Sequence, residues 1–132
     1  MVTKLLHEGG LYLGPAEDIA PPKDDNPDGF WENLRLVEIN EEILGELGGA
    51  WDFPSPLPEG WRSEDKFLQL RAKAEMVLAP LRKHSPWGWK DPRNSLTIPF
   101  WSSLIPDLKV VVCVRNPLDV ALSLRSDERR VG

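Results

Sequence analysis

The chain has 132 residues, enough for one domain, and its 41% hydrophobic and 28% charged content is that of an ordinary globular protein. A net charge of −5 argues against an extended nucleic-acid surface, which needs a basic field, but leaves room for a small anionic ligand on a local cationic cluster. The single cysteine, Cys113, cannot form an internal disulfide, which suits a reducing cytoplasm, and its place in an apolar run predicts a packed, inert thiol. No signal peptide or membrane span is visible, and two histidines and one cysteine, widely scattered, give no metal site.

Val2, Leu5 and Leu6 repeat with helical spacing, and Gly9-Gly10 supplies a C-terminal stop. This helix has no N-cap and no preceding strand, and a helix of about seven residues is marginal alone, so it reads as the second half of something longer. Gly14 to Gly29 is a Pro- and Asp-rich loop whose acidic cluster lacks a cation-ligand spacing, with Phe30-Trp31 as its anchor. Leu34 to Leu47 reads as a helix with Leu36, Ile39, Ile43 and Leu47 on one side, a break near Asn40, and Gly48-Gly49 at its end.

The stretch from Ala50 to Trp61 carries three aromatic residues (Trp51, Phe53, Trp61) among Pro54, Pro56 and Pro58. It could wall an acceptor pocket, but anchoring of a rigid loop to the core is the stronger reading. Ser63 is a fair N-cap for a helix whose core face is Phe67, Leu70, Ala74, Val77 and Leu78, closed by Pro80. Trp87 to Lys90 reads as a short strand and Asp91-Pro92-Arg93-Asn94 as the turn after it. A helical segment with Pro99 near its start then turns Phe100, Trp101 and Leu104 inward, and Pro106 ends it.

Lys109-Val110-Val111-Val112-Cys113-Val114 is β-branched without polar alternation, the pattern of a parallel strand covered on both faces. Arg115-Asn116-Pro117 ends it, Asn116 is a good N-cap, and a helix follows from Pro117. Counted from Asn116, Asp119 falls at about 300° and Ser123 at about 340°, so the three share one polar stripe. Strand, helix and strand from Trp87 to Val114 make a right-handed crossover that would bring Lys90, Asp91 and Arg93 to the same sheet edge as Arg115. That edge, beside a helix N-terminus, suits an anion, and Arg115 and Ser123 are the candidate ligands. The competing reading pairs Arg115 with Asp119 and makes Lys90, Asp91 and Arg93 a local salt-bridged turn.

The run from Arg115 to Ser123, after a Val-rich strand, resembles the 3′-phosphate-binding segment of the sulfotransferases, enzymes that use 3′-phosphoadenosine 5′-phosphosulfate as sulfuryl donor. The resemblance, closest to the bacterial branch, extends through Leu11-Tyr12-Leu13-Gly14-Pro15, Asn26-Pro27-Asp28-Gly29-Phe30-Trp31-Glu32 and Trp87-Gly88-Trp89-Lys90-Asp91-Pro92-Arg93. No one motif is decisive; their order is the specific signal. It implies that Arg115 and Ser123 hold the donor's 3′-phosphate, without a metal. Lys90 would then serve the leaving bridge oxygen, and Asp91 would be a possible base toward an acceptor hydroxyl or amine of a small molecule or carbohydrate. Many relatives carry a histidine near this point, where this chain has Asp91-Pro92.

The implied fold is α/β: a partial P-loop-like parallel sheet with flanking helices, in a single domain over residues 1–132. The family's first strand and phosphosulfate loop would precede Met1, and its later sheet and adenine contacts would follow Gly132, so the chain as it stands is expected to be inactive. Another P-loop-like transferase or kinase, and a non-catalytic nucleotide-binding protein, are the alternatives.

Overall fold

The computed structural model describes residues 2–22, 29–48, 57–114, 116–119 and 121–122. Four helices carry the architecture: α1 (Val2–Glu8), α2 (Leu34–Glu46), α3 (Asp65–Leu81) and α4 (Asn94–Leu104). Short 3-10 turns occupy Ala16–Asp18 and Trp61–Ser63.

Helix α2 starts where its sequence lets it. Asn33 stays extended while its Oδ1 accepts from the backbone N–H of Arg35 at 3.0 Å and of Leu36 at 3.4 Å, two of the donors a helix start leaves open. Leu36, Ile39 and Ile43 then fall on one face and are fully buried, each contributing roughly 1.5–3 kcal/mol through burial. Helix α3 lays Phe67, Leu70, Ala74, Leu78 and Leu81 against them. It begins at Asp65 after a turn that includes Ser63, and it runs through Pro80 to Leu81, one residue past the expected stop.

Helix α4 begins at Asn94, five residues before Pro99, so the proline lies inside the helix rather than at its first turn. Its buried face is Thr97, Phe100, Trp101 and Leu104. Aromatic rings fill the space between α3, α4 and the segment before α4. Trp61 meets Phe67 edge-on at 5.5 Å, Phe100 meets Trp101 at 5.2 Å, and Trp101 meets Trp89 at 5.0 Å.

The expected parallel sheet is not formed: among the described residues there is no strand, only two isolated bridges, Tyr12 with Trp87 in parallel and Ile19 with Asn33 antiparallel. The physical reason is pairing. A strand is held by neighbours that accept and donate along its length, and among the described residues, 109–114 have none. Val110, Val111, Val112 and Val114 are exposed, and so is Cys113, the thiol expected to be packed. The core that does form is helical, with α2, α3 and α4 around Phe67, Phe100 and Trp101. The P-loop-like α/β class is therefore corrected to a helical arrangement for the described residues, and the crossover that would have lined up Lys90 with Arg115 on a sheet edge is not seen.

Helix α2 also runs unbroken through Asn40, which is fully buried. Beyond residue 114, 117–119 and 121–122 are helical. Asn116 caps that turn as expected, its Oδ1 accepting from Leu118 N at 2.9 Å.

Candidate functional site

Residues 11–13 and 86–88 lie side by side. Tyr12 N–H donates to the Pro86 carbonyl at 2.9 Å, and Gly88 N–H donates to the Tyr12 carbonyl at 3.0 Å. Gly14 follows at a φ of +123°, and a Cβ there would sit 2.6 Å from Asn33 Nδ2. Glycine is thus needed twice over, for the backbone angle and for the space. The Asn33 amide passing so close donates to the Leu13 carbonyl at 2.9 Å, so the helix cap is also the tie to this segment.

Lys90 stands two residues past that ladder. Its ammonium donates to the Phe30 carbonyl at 3.3 Å and to Glu32 Oε1 at 3.4 Å, and it lies 5.9 Å from the centre of the Phe30 ring. Two of its three donors are engaged, and 38% of the side chain is open to solvent, so a further hydrogen bond to an anion fits the donor count. Between Phe30 and Glu32, Trp31 holds φ at +60°, unusual for a bulky residue, with its ring 5.2 Å from that of His7. Its indole N–H is buried without a hydrogen-bond partner.

Asp91 is placed differently from its neighbour. It is 5% exposed, its Oδ2 accepts from Asn40 Nδ2 at 2.8 Å, and its Oδ1 accepts from both the backbone N–H and the Nη1 of Arg93 at 3.0 Å. Arg93 also reaches Glu41 at 3.5 Å. This is a local salt-bridged turn, as the competing reading has it. A carboxylate held by three donors and closed to solvent does not meet an acceptor hydroxyl in this arrangement.

The residue that organises this turn is Asn40, where the sequence predicts a helix break. Its Nδ2 donates to Asp91 and to Asn94 Oδ1 at 2.9 Å, and its Oδ1 accepts from Thr97 Oγ1 and Trp101 Nε1, both at 2.8 Å. All four capacities of a buried amide are filled. The signal was available: an asparagine directly after Ile39 on the stripe shared by Leu36 and Ile43 must find partners or pay the cost of desolvation.

The structure brings Lys90, Asp91 and Arg93 into one turn and Lys90 against Phe30 and Glu32. Arg115 and Ser123 lie outside the described residues, as do Trp51 and Phe53; Asn116 and Asp119, of the same predicted stripe, are exposed. His84 stacks on Tyr12 at 3.5 Å, at the far end of the 87–90 segment from Lys90. A separate cleft of about 390 Å³ is lined by Glu75, Arg82, Trp87, Ile105 and Asp107. Its cation is already committed, since Arg82 binds Glu75 at 2.6 Å and the Leu104 carbonyl at 2.9 Å. Among the described residues no helix is long and apolar enough to cross a membrane. Against protein-family models, curated proteins and solved structures, the chain finds no match.

Proposed function

We propose that this chain is a sulfotransferase-type domain that binds 3′-phosphoadenosine 5′-phosphosulfate, with Arg115 and Ser123 on the 3′-phosphate and Lys90 toward the bridge oxygen. The observation that carries the reading is the meeting of motifs around Lys90. Three stretches that bear the family resemblance, far apart in the chain, touch one another: Tyr12 ladders with Gly88, and Lys90 bonds Phe30 and Glu32. Residues that match a family only by chance have no reason to share one cluster.

When bound, the donor supplies an activated sulfuryl group. The chain's own part is to position it and to supply positive charge. Lys90 keeps a donor to spare, and its ammonium, steadied by Glu32, suits an oxygen that gains charge as the sulfuryl group departs. Asp91 acts on this reading as a positioning residue: held by Asn40 and Arg93, it fixes the turn that follows Lys90. Acceptor hydroxyls or amines of a small molecule or carbohydrate remain the substrate class.

Calorimetric titration with adenosine 3′,5′-bisphosphate, in competition with ATP, tests the reading. Adenosine 3′,5′-bisphosphate is expected to bind at least about tenfold more tightly than ATP, and Arg115→Ala and Ser123→Ala each to weaken it by about 1.5–3 kcal/mol, the worth of a charge-assisted hydrogen bond. Equal affinity for ATP would favour another nucleotide-dependent transferase. Binding of neither nucleotide would overturn the reading.

A further inference from the structure

The two protein acceptors of Lys90 flank a single residue, Trp31. Among the described residues Trp31 is the one non-glycine at positive φ, +60°, an angle that costs a bulky side chain energy. The chain after it is fixed: the Glu32 carbonyl accepts from Ala20 N–H at 2.9 Å, and Asn33 bridges to Ile19 and caps α2. The chain before it presents the Phe30 carbonyl to the Lys90 ammonium at 3.3 Å, while Glu32 Oε1 meets the same ammonium at 3.4 Å. The φ of residue 31 sets how the peptide plane that carries the Phe30 carbonyl is turned relative to Glu32. With Glu32 held in place, returning φ to the ordinary helical range is a rotation of about 120°, which swings that carbonyl off the ammonium.

We propose that Trp31 is a positioning residue for Lys90: its left-handed backbone angle brings the Phe30 carbonyl and the Glu32 carboxylate onto one ammonium. Two fixed acceptors leave the third N–H with a defined direction, as a donor meant for an incoming anion requires. The indole keeps the angle in place. It is half-buried, and its N–H has no acceptor among the described residues. Its ring lies 5.2 Å from that of His7, whose Nδ1 donates in turn to the Leu11 carbonyl at 2.9 Å. Ring packing, rather than a hydrogen bond, thus offsets the strain. What the direction of that donor means for chemistry rests on the donor-binding reading; the positioning itself does not.

The test uses the full chain and reads how fast Lys90 is acetylated in the native protein, by peptide mass spectrometry, with the exposed Lys83 as internal reference. Trp31→Asn, Trp31→Ala and Trp31→Val all remove the indole but tolerate the left-handed angle progressively less well. An amine freed from both acceptors is more open to the reagent. The Lys90 rate should therefore stay within about twofold of the parent in Trp31→Asn and rise at least about fivefold in Trp31→Val, with Trp31→Ala between them. Should Trp31→Val not fold, the step from Trp31→Asn to Trp31→Ala decides. Equal rates in the folded variants, or a rise in Trp31→Asn as large as in the others, would overturn the proposal. Calorimetry with adenosine 3′,5′-bisphosphate separates the positioning from the reading it serves. Binding weakened in Trp31→Val but not in Trp31→Asn carries the positioning into the donor site. No binding by the parent overturns donor binding alone, and the acetylation rates still decide whether Trp31 positions Lys90.

Discussion

Asn40 and Asp91, fifty-one positions apart, share a buried hydrogen bond of 2.8 Å that ties the middle of α2 to the turn before α4. The same amide serves Asn94, Thr97 and Trp101. Replacing it with alanine would strand a buried carboxylate oxygen and an indole N–H at once, while the Thr97 hydroxyl keeps the Arg93 carbonyl. Asn40→Ala is therefore expected to cost about 3–5 kcal/mol in urea unfolding, from about 1–3 kcal/mol for each buried group left unsatisfied. A loss below about 1 kcal/mol would mean that the network relaxes onto water.

Lys90 and Asp91 are neighbours with opposite expected responses. Asp91→Ala should destabilise by about 3 kcal/mol or more, since it leaves Arg93 and Asn40 without a buried acceptor. Lys90→Met should change stability by less than about 1 kcal/mol, because its ion pair is partly exposed. On the proposed function, that variant nonetheless weakens binding of the sulfuryl donor by about 1.5–3 kcal/mol in calorimetry, the worth of a charge-assisted hydrogen bond. Equal stability losses from the two substitutions would contradict the division of roles.

Gly14 and Gly10 offer a matched pair. Both sit at positive φ, +123° and +112°, but a Cβ at Gly10 meets nothing within 4 Å, whereas one at Gly14 strikes Asn33 Nδ2. Gly10→Ala should cost about 1 kcal/mol from backbone strain alone. Gly14→Ala adds the displaced Asn33 amide and should cost about 2–3 kcal/mol. Similar melting temperatures for the two variants would remove Asn33 from the explanation.

Lys73 spans α3 and α2, at 2.6 Å from Glu42 and 3.2 Å from Glu38. The bond to Glu42, then that to Glu38, raises its pKa above 10.5. A raised pKa means that the folded state holds the proton more firmly than the unfolded one. The stabilisation is therefore complete below pH 10.5 and fades as pH climbs through the higher folded value. Lys73→Met should be less stable than the parent at neutral pH and converge with it in strongly alkaline solution. A difference that persists unchanged there would assign the effect to packing.

Cys113 is exposed, so its thiol should react with a disulfide reagent stoichiometrically in the native protein at low micromolar concentration. A thiol that reacts only after denaturant is added would restore the packed strand read from the sequence.

Helix positions were legible because they follow local rules. The 3.6-residue spacing of Leu36, Ile39 and Ile43, the glycines after α1 and α2, and the Asn116 cap each act within a turn or two. Pro80 and Pro99 misled at the edges, since both lie inside helices. The strand at 109–114 was a different kind of inference: valine content reports what a segment prefers once it has neighbours, and nothing in the segment supplies them. The same holds for the site. Lys90 and Asp91 are adjacent in sequence and read alike, yet Asp91 was taken out of solvent by Asn40, a partner that no local pattern connects to it.

Helix α1 buries none of its seven residues, and His7 meets the rest of the molecule at the Trp31 ring. A chain shortened to start at Leu11 would surrender little apolar burial, keep the ladder at Tyr12 and Trp87, and unfold with nearly the same cooperativity. Whatever holds Trp31 in its rare backbone angle would then have to do so without the imidazole beside it.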